Sequence, residues 1–222
     1  DFLAHHRVLP PSGSVSAYTL SSHAMTYRDD RAADDAELHE DIDLQEARPE
    51  DYRDRKGYDP DFLGVQIPFP ELTREQDDIL TYEADGKQHH LLDYQHFSVL
   101  MSKRLRMCRL TACNIDGATS KIRRRMGWRF DPRVPKTAQI MQDCYGREPR
   151  FSRGHMTRRA DPVWGTDELA MLGNVDSMHV TNAVPQIQPF NAGVWLGLEG
   201  YALDHTRDDQ MRISVFTGPF FR

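Results

Sequence analysis

Between His96 and Cys113 the chain alternates apolar and polar positions in two short runs, HFSVLM and RMCRLTAC. Successive side chains of a strand point to opposite faces, so runs of this length and period predict half-buried strands. Ser102–Leu105 supplies the turn between them, and Asn114–Gly117 ends the second strand. A third run, RISVFTG over Arg212–Gly218, reads as a core strand. The period changes at GVWLGLEGYALD, Gly193–Asp204, where Val194, Trp195, Leu198, Tyr201 and Ala202 predict a helix. Gly193, Gly197 and Gly200 weaken that helix, so packing must hold it. On regular winding Asn191, Trp195 and Glu199 drift by only about 40° per four-residue step and share one face. These elements predict an α+β fold, a central antiparallel sheet with helices.

The N-terminal part reads differently. Pro10, Pro11 and Gly13 break any element in residues 1–27, and Val15–Leu20 is a short strand-like run. Residues 28–56 are acidic, which suits a linker, a helix packed on a partner, or a segment shielding a basic groove. Residues 57–70 (GYDPDFLGVQIPFP) are turn-rich and aromatic, with Tyr58, Phe62, Leu63 and Ile67 expected against the core. The expected division is an N-terminal arm with an acidic linker over 1–56 and one folded domain over 57–222. At 222 residues the chain is long enough for a sizeable core. It has no apolar run long enough to cross a membrane as a helix and no repeat, and no secretory signal is visible in this stretch of chain. Cys108, Cys113 and Cys144 form no C-x-x-C pair and are too few for a disulfide framework or a zinc site. An odd count favours a reducing, cytoplasmic setting, with export and one disulfide left open.

Net charge is −6, which by itself argues against a nucleic-acid partner. Its distribution reverses that reading. Lys103–Arg159 holds sixteen Lys or Arg against four Asp or Glu. A basic middle in an acidic chain is the electrostatic footprint of a phosphate-binding face. Arg123, Arg124 and Arg125 lie in its densest stretch, Lys121–Arg129, and Arg158 and Arg159 follow. Phosphate contact by such residues is sequence-independent and salt-sensitive. Trp128, inside the stretch, can either stack on a base or fill a cleft.

The basic block runs into Ser152-Arg153-Gly154-His155, and then come Asn182, Pro185, Gln186, Asn191, Trp195 and Glu199. A histidine, an arginine and carboxamides without an acidic cluster suit metal-assisted cleavage of a phosphodiester. The histidine activates water, one oxygen ligand holds a largely hydrated Mg²⁺, and an arginine neutralises charge on the phosphate. Asn191 could instead cap the following helix, and the other histidines are expected on the surface.

At these residues the chain resembles the DNA/RNA non-specific endonucleases of the ββα-metal class. Their motif is D-R-G-H followed by N-x-x-P-Q-x-x-x-x-N-x-x-x-W-x-x-x-E. The second block matches in full, and the first departs only at Ser152, where the family usually has Asp. Arg109, in Met107-Cys108-Arg109-Leu110-Thr111, matches a family arginine followed by a hydrophobic residue and Thr. The resemblance implies His155 as general base, with Arg153 and Arg109 on the phosphate. It also implies Asn191 as the ligand of Mg²⁺ or Mn²⁺, with Glu199 in the ion's outer shell and Asn182 positioning the loop or the ion's waters. It places the first strand of a ββα hairpin around Ser152–His155, the second around Met178–Asn182, and the helix after Asn191.

The implied activity is metal-dependent cleavage of DNA or RNA with little sequence preference, leaving 5′-phosphate ends. The alternative is a catalytically weak or latent nucleic-acid-binding module of a larger toxin or defence effector. The non-Met start at Asp1 and the stop shortly after Thr217-Gly218-Pro219 lead to the expectation of further chain, including a C-terminal part of the domain. The resemblance also leaves room for a homodimer, and nothing points to a membrane partner.

Overall fold

The computed structural model describes residues 47–142, 144, 145 and 151–220. The expectations for residues 1–27, and for the acidic run as far as residue 46, lie outside the described residues. In chain order the strands are β1 (Tyr82–Ala84), β2 (Lys87–His89), β3 (Leu91–Tyr94), β4 (Phe97–Met101), β5 (Cys108–Asp116), β6 (Phe151–His155), β7 (Ala183–Ile187) and β8 (Arg212–Thr217). Two longer helices are α1 (Asp167–Ser177) and α2 (Leu196–Asp208). None of the described helices is long and apolar enough to cross a membrane.

The centre is an antiparallel sheet in the order β3-β4-β5-β8. Its register pairs Phe97 with Cys113 and Ile115 with Ile213, with a bulge at Leu100/Met101. Strand β4 is buried along its whole length, not half-buried as its alternation predicts. The cause is a second cover. The aromatic segment lies on the sheet, with Tyr58 N–H donating to Ser98 Oγ at 2.8 Å and Asp59 N–H to Asn114 Oδ1 at 2.7 Å. The Tyr58 ring meets Phe216 at 5.4 Å. Phe62, Leu63 and Ile67 are half-buried. Strand β5 also continues past Cys113, where turn residues predict its end. Asn114 spends its side chain on Asp59 and Ser214, and β8 pairs with the backbone as far as Asp116.

The packing continues N-terminal to Gly57. Tyr52 is buried in the core, and Arg55 donates to Asp176 at 2.6 Å with both side chains nearly covered. Helix α1 has no counterpart among the elements predicted above. Its start is nevertheless written locally, because Thr166 Oγ1 accepts from Leu169 N–H and Asp167 and Glu168 occupy the first turn.

Two histidines expected on the surface are buried. His96 lies under Trp164 with ring centroids 3.4 Å apart. His179 is fully covered, its Nε2 2.6 Å from the Tyr52 hydroxyl. His89, His90 and His205 do reach the surface. Cys108 and Cys113 are buried free thiols, and Cys144 is an exposed one.

Candidate active site

Strands β6 and β7 form a two-stranded antiparallel ribbon, with Ser152 opposite Gln186, Gly154 opposite Val184 and His155 opposite Ala183. The second arm is therefore Ala183–Ile187 and not Met178–Asn182. Residues Val180–Asn182 form a tight turn instead, and Asn182 closes it. Its Oδ1 accepts from Thr157 N–H at 2.8 Å, while Nδ2 donates to the carbonyls of Thr157 and Ser177. All of these bonds go to backbone, and the residue is completely buried, as a clamp on the entry to β7 would be.

Beyond β7 the chain is helical over Gln188–Phe190, π-wound over Asn191–Trp195, and then enters α2. The predicted regular helix from Gly193 does not form. Gly193 has φ −115° and ψ −108°, outside helical values, and α2 starts at Leu196. The one-face phasing of Asn191, Trp195 and Glu199 assumed regular winding, so it does not describe this segment. Trp195 is buried against Phe190, and Asn191 and Glu199 are half-buried.

A hydrogen bond ties the helical segment to the R-G-H strand. Asn191 Nδ2 donates to Ser152 Oγ at 2.8 Å, and Ser152 Oγ donates on to the Gln186 carbonyl at 3.4 Å. Ser152 thus does for Asn191 what a carboxylate at that position could do, but without charge. With the amide nitrogen committed, Asn191 Oδ1 has no hydrogen-bond partner among the described residues. It is the atom a hard cation would take. Gly154 has its own requirement. A Cβ there would lie 2.0 Å from Gln186 Cδ and 2.4 Å from its Cγ, so any larger residue would push that side chain out.

His155 ends β6, half-buried. Its Nε2 is buried without a hydrogen-bond partner among the described residues. The Trp128 ring lies over it, centroids 4.5 Å apart and planes 31° apart. Burial, then the charges of Arg125, Arg159 and Arg158, hold the imidazole well below the ordinary histidine range. These are three of the five arginines read as phosphate-binding. Of the other two, Arg123 pairs with Asp167 and Arg124 is exposed.

Arg153 turns toward residues 141–145. Its Nε donates to the Met141 carbonyl at 2.8 Å, its Nη2 to Gln142, and its guanidinium lies 4.9 Å from the Tyr145 ring. Arg109 stands on the central sheet, bonded to Glu75 at 2.6 Å. The ribbon thus gathers Ser152, Gly154, His155, Gln186 and Asn191, while Arg109 belongs to β5.

Among the described residues no three His, Cys, Asp or Glu side chains converge on a metal-sized space. The donor the ribbon offers is the neutral carboxamide oxygen of Asn191, and the Glu199 carboxylate follows later, in the first turn of α2. That set fits an ion that keeps most of its own waters and does not fit a structural zinc.

Several site residues escape a reading of motifs. Asn174 on α1 donates from Nδ2 to the Arg124 carbonyl at 2.9 Å and pins the basic stretch. Asp131 and Arg133 form a buried pair that also receives the Tyr94 hydroxyl, and Tyr94 in turn meets Thr181 Oγ1 at 2.6 Å. Through Thr181 this network sets the turn before β7. The T-D-E cap of α1 was a readable local signal. Nothing local in Asp131-Pro132-Arg133 announces its partners.

Residues 75–222 match the DNA/RNA non-specific endonuclease family. The chain is 41% identical over 187 residues to the uncharacterized protein y4fB of Sinorhizobium fredii (strain NBRC 101917 / NGR234), covering 78% of this chain. It spans 28% of that relative's length. Among solved structures it is similar to a chain of the EndoG/EndoGI complex, whose subject is the mechanism of EndoG inhibition. That match has 18% identity and a TM-score of 0.51, and covers 60% of this chain and 54% of the other. The similarity extends to the mixed α+β fold.

Proposed function

This chain belongs to the DNA/RNA non-specific endonuclease family, and we propose that it hydrolyses phosphodiester bonds of DNA and RNA with little sequence preference. The observation that carries the reading is the Asn191–Ser152 hydrogen bond, which ties a candidate cation ligand to the strand that ends in His155. Asn191 Oδ1 would hold Mg²⁺, or Mn²⁺ in its place, with Glu199 orienting the ion's outer shell. Bound there, the ion would supply positive charge to the phosphate and to the leaving oxygen.

The chain's own residues carry the proton. Nε2 of His155 is buried, and the proton transfer is therefore assigned to Nδ1. The neutral imidazole takes a proton from that water as its oxygen attacks phosphorus. Arg125, Arg158 and Arg159 favour the neutral ring, and the same charges attract the phosphate backbone. Arg153 and Arg109 are the further candidates for phosphate contact and transition-state charge. Each would have to exchange its present partners for the substrate. Asn182 acts here as the clamp of the β7 entry rather than as a ligand.

Attack opposite the 3′ oxygen leaves 5′-phosphate and 3′-hydroxyl ends. Labelled DNA and RNA oligonucleotides cleaved with Mg²⁺ test this directly. The fragments are expected to join with ligase without prior phosphorylation. Fragments carrying 3′-phosphate, or 2′,3′-cyclic phosphate on RNA, would rule the proposed direction of attack out.

A further inference from the structure

We propose that Trp128 is a positioning residue for the general base: its indole fixes the His155 ring and shuts solvent from Nε2, so that only Nδ1 faces the attacking water. This rests on the assignment of His155 as the base. The rings are close, 4.5 Å between centroids with planes 31° apart, and Nε2 of the imidazole is buried without a hydrogen-bond partner among the described residues. A histidine commonly has its ring fixed by a hydrogen bond from the second nitrogen. Here that bond is absent among the described residues, so packing must do the work. A buried nitrogen without a partner is costly, and a free ring would rotate to hydrate it.

The backbone that carries Trp128 is held at both ends. Lys121 N–H donates to the Val163 carbonyl at 2.8 Å. Arg159 Nη1 donates to the Arg123 carbonyl and Asn174 Nδ2 to the Arg124 carbonyl, both at 2.9 Å. Arg129, next to the tryptophan, donates to the Met178 carbonyl at 3.1 Å and accepts from Val180 at 3.0 Å. Trp128 is thus part of an anchored wall. The anchor at Met178–Val180 lies just before the Asn182 clamp, so wall and catalytic ribbon share one support. Helix α1 supplies the other anchor through Asn174.

The test compares Trp128→Ala and Trp128→Phe with the wild type, all with Mg²⁺. Trp128→Ala is expected to lower kcat by roughly ten- to a hundredfold with KM within about twofold, the signature of a misplaced catalytic group. Trp128→Phe keeps a ring over the imidazole and is expected to recover most of the rate. A second readout needs no turnover. Diethylpyrocarbonate, with products located by peptide mass spectrometry, is expected to acylate one ring nitrogen of His155 in the wild type and in Trp128→Phe, and to reach the second nitrogen as well in Trp128→Ala. That readout depends on the packing of the two rings alone, so it separates a failure of the Trp128 contact from a failure of the His155 assignment. Melting curves show whether each variant is folded, and Trp128→Phe carries the test if the alanine variant is not. Unchanged His155 modification in Trp128→Ala would overturn the proposal. So would a raised KM at unchanged kcat, which would make Trp128 a base-stacking contact for the substrate. Loss of rate in Trp128→Phe equal to that in a folded Trp128→Ala would overturn it too.

Discussion

His155→Ala is expected to lower cleavage of both DNA and RNA at saturating substrate by roughly 10²–10⁴-fold, the usual worth of a positioned general base. Binding should hardly change, because in the proposed function affinity comes from Arg125, Arg158, Arg159 and their neighbours through salt-sensitive phosphate contacts. The measurements are single-turnover cleavage and filter binding at several salt concentrations. Burial and the three arginines depress the imidazole pKa, so the neutral base persists as pH falls below the ordinary value of 6.5. The acid limb of the wild-type rate should therefore lie below pH 6.5, and the alanine variant should lack it. A variant cleaving at the wild-type rate would remove His155 from the mechanism.

Asp131→Ala should produce the largest loss of stability, about 3–5 kcal/mol, because it leaves one member of a buried ion pair without its counter-charge. The side chains of Asp131 and Arg133 are 0% and 7% exposed. Arg133 binds the carboxylate through Nη2 at 2.7 Å and through Nε at 3.1 and 3.2 Å. Its guanidinium sits 4.5 Å from the Tyr52 ring and 4.7 Å from the Tyr94 ring. Removing the carboxylate strands that cation and takes one partner from the Tyr94 hydroxyl. Burial alone would raise the Asp131 pKa. The Arg133 charge and hydrogen bonds overcome it and hold the carboxyl below the ordinary 3.8. Its contribution is therefore present above pH 3.8 and lost as the pH falls through the depressed value. Urea denaturation at neutral pH measures the change. The comparison is Arg53→Ala, whose pair with Asp85 is mostly exposed on both sides and should cost less than about 1 kcal/mol. A loss of that small size in Asp131→Ala would mean the network does not hold the β7 turn.

Much of the central sheet was legible because its signals are local. HFSVLM and RISVFTG alternate or run apolar over a strand's length, and they became β4 and β8 within a residue at each end. What the sequence could not convey was how many faces would be covered. The Tyr58 segment lies on a sheet that alternation alone leaves half open. Histidine burial had the same origin, since His179 is buried by Tyr52 and Tyr94, 127 and 85 positions earlier in the chain. The candidate ribbon was legible at a different level. The R-G-H and N-x-x-P-Q spacing brought Ser152, Gly154, His155, Gln186 and Asn191 onto one ribbon and the segment that follows it. Helical phasing failed at Gly193, where a residue without a Cβ permits winding that a periodicity argument excludes. Trp128 could be read only as a base-stacking or cleft-filling residue. The wall that carries it is held by the Asn174 side-chain amide of α1 and the Met178 carbonyl, which no local pattern announces.

The most direct test of the nuclease reading is cleavage of supercoiled plasmid and single-stranded RNA in Mg²⁺ and in EDTA. The expected result is progressive degradation of both substrates in Mg²⁺, abolished by EDTA and restored by excess Mg²⁺ or Mn²⁺. Degradation that persists in EDTA would contradict the role given to Asn191. Intact substrates in Mg²⁺, with binding that weakens as salt rises, would contradict hydrolysis and leave a nucleic-acid-binding module in its place.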